Sequence, residues 1–155
     1  MDCGPTCLRM VAKHYKRSIS LEKLRSLSET TRSGSSLRGV AEAAEIIGFK
    51  TLGVKIQYTT LCNEARLPCI VFWNQSHFVV VYKIKKSFFE SLRSRFLRTR
   101  KSQLLIQVAD PAHGLLTYSK QEFIDNWIGK HATETTEEGS NTSLFKTYLA
   151  GLLTS

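Results

Sequence analysis

The sequence predicts an α+β domain in which N-terminal helices pack on an antiparallel β-sheet. Three observations carry this. Apolar residues recur at helical spacing up to Ile47, the period becomes strand-like after Gly48, and turn-forming clusters separate the apolar runs that follow. With 155 residues, the chain has the length of about one domain, enough to bury roughly 70% of its unfolded surface.

Taking the elements in order, Pro5 to Tyr15 reads as a helix, with Pro5 suited to the first turn and Leu8, Val11, Ala12 and Tyr15 on one side. Cys7 lies one turn beyond Cys3 and is expected to pack inward. A short helix follows Ser20, striped by Leu21, Leu24 and Leu27. Ser33-Gly34-Ser35-Ser36 forms a loop and N-cap for a third helix carrying Leu37, Val40, Ala44 and Ile47, which Gly48 stops. Phe49 to Ile56 alternates as a strand does, and Cys69 to Trp73 is a short run of buried-strand type. Asn74-Gln75-Ser76 reads as a turn, and His77 to Ile84 is the strongest strand signal in the chain. Leu104 to Ala109 is a further strand, ended by the turn Asp110-Pro111-Ala112-His113-Gly114, with Leu115 to Tyr118 returning as a hairpin. Ser119-Lys120-Gln121-Glu122 has capping-box spacing ahead of Phe123, Ile124 and Trp127. Residues 130–143 are polar and rich in Thr and Glu, and Leu144 to Leu149 fits a short amphipathic helix. The expected division is a domain over 1–129, with a basic insertion at 85–101, and a polar tail over 130–155.

The net charge of +9 resembles a nucleic-acid signal until it is located. The segment 85–101 carries seven Lys and Arg against Glu90, so most of the excess sits in one stretch rather than in a domain-wide field. No aromatic platform accompanies it, which argues against nucleic acid. Phe88, Phe89, Leu92, Phe96 and Leu97 fit an amphipathic helix there, giving two readings: a solvated insertion, or a contact with an anionic membrane surface or a transporter partner. No apolar run reaches the roughly 18–20 residues that span a bilayer and no signal-peptide pattern opens the chain, so a reduced, cytosolic setting is expected. Four cysteines there read as free thiols, catalytic groups or metal ligands before disulfides. Cys3-x3-Cys7 and Cys62-x6-Cys69 lack the tight spacing of structural zinc sites, so no metal or other cofactor is expected.

Cys3 draws attention because it stands at a helix start, where unpaired N–H groups and the positive end of the helix dipole favour a thiolate. A cysteine nucleophile needs an imidazole and a group that orients it. His77 begins a strand after a turn, and Asp110 ends another beside a loop. Taken singly, Cys3 also fits a small residue at a helix start, His77 a polar strand end and Asp110 a turn former. Their order along the chain, thiol first and His and Asp on later strands, matches a papain-like arrangement. His14, His113 and His131 read as structural or exposed.

Asp2-Cys3-Gly4-Pro5-Thr6-Cys7-Leu8-Arg9-Met10, His77-Phe78-Val79-Val80-Val81 and Asp110-Pro111-Ala112-His113-Gly114, followed by Phe123 and Trp127, resemble the C39 peptidase domain of bacteriocin-exporting ABC transporters. The resemblance runs in order from Asp2 to about Gly129. It implies a papain-like fold and a cysteine endopeptidase with Cys3 as nucleophile, His77 as general base then acid, and Asp110 orienting His77. It also implies a Gly-Gly leader peptide as substrate, the membrane and ATP-binding domains of an ABC transporter as partners on the same or a separate chain, and a place at the cytoplasmic side of the bacterial inner membrane. A Gly-Gly pair makes physical sense, since residues without side chains thread a channel that excludes larger ones. The apolar faces of the second and third helices, or the strand carrying Trp73, are the expected docking surface for an amphipathic leader helix.

The sequence departs from the family pattern in three places. The resemblance implies a Gln a few residues before the nucleophile, donating to the oxyanion, and only Met1 and Asp2 precede Cys3. Losing one such donor costs on the order of 10²–10³ in turnover, so weak or absent turnover is expected, with the Cys3 N–H as a remaining donor. The basic insertion lies where a shorter connection is expected, and the tail lacks an evident closing strand. The alternative function is a non-catalytic docking module that binds the leader or cargo peptide. No phosphate-binding G-x-x-x-x-G-K-[ST] motif occurs.

Overall fold

The computed structural model describes residues 2–29, 34–74, 76–88, 102–128 and 146–150. Three helices come first: α1 (Cys3–His14), α2 (Leu21–Leu27) and α3 (Leu37–Ile46). Their ends follow local chemistry. Ser20 Oγ accepts from the Lys23 N–H and Ser36 Oγ from the Gly39 N–H, each satisfying an orphan donor of a first turn. Gly48, at φ +88°, takes the left-handed conformation that ends α3. The helices meet through Leu8, Val11, Leu24, Val40, Ala43 and Ala44, all buried.

β1 (Leu52–Ile56) starts later than the alternation from Phe49 suggests. Phe49 is used otherwise: it is buried against the Tyr15 ring, with the Arg17 guanidinium 4.6 Å above its face. A short helix absent from the sequence reading, α4 (Tyr58–Asn63), follows β1. At six residues it is too short to show periodicity, and its buried Tyr58 and Leu61 hold it.

The sheet contains β2 (Cys69–Trp73), β3 (His77–Phe88), β4 (Ser102–Asp110), β5 (Gly114–Ser119) and β6 (Lys146–Ala150) besides β1, in the order β1-β6-β2-β3-β4-β5 with every pair antiparallel. β2 and the first part of β3, Phe78–Val81, are covered on both faces, which is why they read as unbroken apolar runs. Ile70, Phe78 and Val80 face α1–α3, whereas Val71, Val79, Val81, Ile106 and Val108 pack with Tyr58, Leu61, Phe123 and Trp127 on the other side. The last two belong to α5 (Lys120–Ile128), which opens with a reciprocal capping box: the Ser119 N–H donates to Glu122 Oε2 and the Glu122 N–H to Ser119 Oγ.

Two expectations are corrected. The segment expected as an amphipathic helix at Leu144–Leu149 contributes strand β6 instead, inserted between β1 and β2. Tyr148 stands opposite Val71 and Leu149 opposite Ile70, so β6 supplies ladder partners to the backbone edge of a buried strand that would otherwise lack them. The polar tail therefore returns to the sheet. The basic insertion does not begin as a helix either: Lys85 to Phe88 continue β3 and pair with Leu105 to Ser102. The rest of that insertion, the polar stretch 130–143 and His131 lie outside the described residues. Among the described residues no helix is long and apolar enough to cross a membrane.

Candidate active site

α1 begins at Cys3 with Asp2 as its N-cap residue, and the Cys3 side chain is buried with 6% of its surface exposed. The Asp2 carboxylate makes no cap hydrogen bond; it pairs instead with Arg25 of α2. The first-turn amides of α1 are therefore not occupied by the residue best placed to cap them. Gly4 lets this helix start sit close to α3, since a Cβ there would lie 2.7 Å from Val40 Cγ2. One turn on, the Cys7 thiol donates to the carbonyl oxygen of Phe78 at 3.2 Å, which seats the N-terminal half of α1 on the start of β3 beside His77.

His77 and Asp110 come together from different strands. Val80 stands opposite Ala109, so the first residues of β3 lie beside the end of β4. His77 Nε2 is 2.8 Å from Asp110 Oδ1, in a pair whose side chains are 14% and 6% exposed. The carboxylate also accepts from the Ala112 N–H at Oδ1 and from His113 Nδ1 at Oδ2. Burial by itself raises the Asp110 pKa, but the hydrogen bonds from His77, Ala112 and His113 and the nearby His77 charge outweigh it. The carboxyl is held below its usual value. An ionised carboxylate only accepts, so the proton of a neutral His77 resides on Nε2 and Nδ1 carries the lone pair. That Nδ1 atom is buried and has no hydrogen-bond partner.

The other thiols are poor nucleophiles. Burial pushes Cys7 well up, with Cys3 and Asp110 adding to it; burial alone takes Cys69 up to about 12, and Cys62 is raised mainly by burial. All four are free. Among the described residues no group of three His, Cys, Asp or Glu side chains is placed to hold a metal ion.

The arrangement is a thiol at a helix start, an imidazole with one nitrogen held by a buried carboxylate and the other without a hydrogen-bond partner, and a helix terminus that the Asp2 side chain does not cap. Residues 1–90 match the model of the peptidase C39 family. The chain belongs to that family. The matched span includes Cys3 and His77, and Asp110 follows it. Among curated relatives, the lactococcin-G-processing and transport ATP-binding protein LagD of Lactococcus lactis subsp. lactis is 32% identical over 133 residues, covering 83% of this chain and 16% of the relative. The colicin V secretion/processing ATP-binding protein CvaB of Escherichia coli is 30% identical over 128 residues, with the same coverage of 83% and 16%. The C39 chain thus spans about one sixth of the length of these relatives. Among solved structures, the peptidase domain of Streptococcus ComA superposes with a TM-score of 0.63 at 29% identity, covering 97% of this chain and 91% of that one. A double glycine motif protease from an AMS/PCAT transporter, solved with its leader peptide, shares the fold at a TM-score of 0.70 and 24% identity, covering 97% and 84%. The α+β, papain-like class expected from the sequence is the one these C39 domains have.

The site adds to the sequence reading. His113 is exposed, as expected, and its Nδ1 also donates to Asp110 Oδ2, a contact the i, i+3 spacing from Asp110 in a turn closed by Gly114 allows. Of the faces expected to dock a leader helix, Leu24, Val40, Ala43 and Ala44 lie in the helical core and Trp73 packs on Tyr118 and Phe123, while Leu21, Leu27, Leu37 and Ile47 stay half-buried. An apolar groove of ≈ 200 Å³ lies elsewhere, lined by Met10, Val80, Tyr82, Ala109 and the exposed Leu115.

Proposed function

We propose that this chain is a cysteine endopeptidase that removes Gly-Gly-type leader peptides from bacteriocin-like or other exported peptides, working with an ABC transporter. The observation that carries the reading is the His77 Nε2–Asp110 Oδ1 pair at 2.8 Å, which leaves a buried, unpartnered Nδ1 for a thiol proton.

In the proposed reaction Cys3 Sγ attacks the carbonyl carbon of the second Gly while His77 Nδ1 takes the thiol proton. Asp110 keeps Nε2–H in place and stabilises the imidazolium. The tetrahedral oxyanion is held by the Cys3 N–H at the start of α1. Collapse breaks the C–N bond, and His77 gives its proton to the leaving amine. Water then attacks the thioester with His77 as base, releasing the leader as a carboxylic acid and restoring the thiol. The groove beside Ala109 and Leu115 suits an apolar anchor of the leader. The relatives support the substrate class, since they are named as processing and transport proteins and one structural neighbour was solved with a leader peptide. The partner and place proposed are the membrane and ATP-binding parts of such a transporter at the cytoplasmic side of the inner membrane. The basic stretch at 85–101 is proposed to touch the anionic membrane surface.

The test is incubation with a synthetic leader peptide ending in Gly-Gly and followed by cargo residues, read by mass spectrometry. Cleavage after the second Gly by the wild type, and none by Cys3→Ala, is expected. Equal binding by both proteins without cleavage would overturn the peptidase reading in favour of a docking module.

A further inference from the structure

The Asp110 carboxylate has donors on both oxygens. Oδ1 accepts from His77 Nε2 and the Ala112 amide, both at 2.8 Å, and Oδ2 accepts from His113 Nδ1 at 2.9 Å. The torsion that turns an Asp carboxylate is broad and soft. Donors on Oδ1 alone leave the plane free to rock and to exchange its oxygens, whereas donors on both oxygens fix it. His113 reaches Oδ2 because Asp110 and Gly114 are paired across the β4–β5 turn, with Gly114 at φ +85°. Its side chain is otherwise open to solvent, 71% exposed, so core packing does not force the contact. Facing an acceptor-only carboxylate, Nδ1 carries a proton whether the His113 ring is neutral or charged, and the contact persists in both forms.

We propose that His113 is a positioning residue for peptide-bond cleavage: it clamps Asp110 through Oδ2, so that Oδ1 stays on His77 Nε2 and His77 Nδ1 stays free for Cys3. The inference rests on the peptidase reading and extends it to a residue that acts through Asp110 without touching substrate. The titratable groups facing the Asp110 carboxylate are His77 from β3, His113 from its own turn, Cys7 from α1 and Tyr118 from β5. Of these His113 is the exposed one, and its substitution leaves the core intact.

His113→Ala and His113→Asn test this in the full chain. The Asn amide N–H can replace Nδ1–H; Ala cannot. His113→Ala lowers kcat on a Gly-Gly leader peptide about three- to tenfold, a range set by one charge-assisted hydrogen bond at a solvent-exposed site, with KM unchanged. His113→Asn restores most of it. Nitrogen NMR of His77 reads the tautomer directly: His113→Ala mixes the two ring forms, and His113→Asn keeps the proton on Nε2. Carbon NMR of Asp110 finds its titration midpoint moved up in His113→Ala. The spectra need no substrate, so they decide the role of His113 even if no peptide is cut, and failure of the two readings stays distinguishable. A His113→Ala protein with an unchanged His77 tautomer overturns the proposal. So does one that merely loses stability while kcat and spectra hold, or one that Asn does not rescue.

Discussion

Replacing Asp110 with Asn changes the charge at the centre of the site and keeps its shape. Asp110 is 5% exposed and accepts from three donors: His77 Nε2, the Ala112 amide and His113 Nδ1. Asn offers one acceptor oxygen and turns an NH₂ toward a donor. His113 can turn to water, being 71% exposed, whereas a loss at His77 or Ala112 falls on an enclosed donor. An enclosed donor without an acceptor costs about 1–3 kcal/mol. Removing a buried charge gives some of that back. The net expectation is a destabilisation of about 2 kcal/mol at neutral pH. The sign with pH follows from the lowered carboxyl of the folded state. Its stabilisation is complete above the unfolded carboxylate value of about 3.9 and is lost as pH falls through the lower folded value. The gap between wild type and Asp110→Asn therefore narrows in acid. Urea denaturation followed by the fluorescence of Trp73 and Trp127 measures it at pH 7, 5 and 3. A gap of equal size at pH 3 and pH 7, or none at pH 7, would refute the paired carboxylate.

Two further outcomes are expected. Gly39→Ala, which in an ordinary helix gains about 1 kcal/mol, loses about 1–3 kcal/mol here, because the new Cβ would lie 2.5 Å from the Ser28 carbonyl oxygen, a backbone atom; an increase in urea midpoint would show that α2 and α3 can separate at no cost. Brief treatment with iodoacetamide at pH 7.5, read by peptide mapping, labels Cys3 ahead of Cys62 and leaves Cys7 and Cys69 unmodified, since burial keeps those two protonated and closed off. Modification of Cys69 as fast as Cys3 in the folded protein would contradict this.

Legibility followed the range of the interaction. Helix starts at Ser20 and Ser36, the stop at Gly48, the capping box at Ser119 and the turn at Asp110 all rest on contacts within a few residues, and a pattern along the chain shows them. The residues Cys3, His77 and Asp110 could be picked out because each stands at the end of an element, where a side chain is free to act. α4, less than two turns long, carries no period in the sequence, and alternation at Phe49 does not reveal a ring held by Tyr15 and Arg17.

By itself, then, the sequence determined every helix but α4, most of the strands and the three residues proposed for the chemistry. The tertiary structure alone decided how the distant parts meet. The sequence pattern at Leu144–Leu149 suggests a short amphipathic helix, and the open edge of β2 draws residues 146–150 into a strand instead, because buried backbone groups must find partners. The register of β3 on β4 sets His77 Nε2 against Asp110 and leaves Nδ1 as the free nitrogen. The fold of the β4–β5 turn brings His113 to the second oxygen. Each of these is a pairing between groups with more than one possible partner, and only the packed chain selects among them.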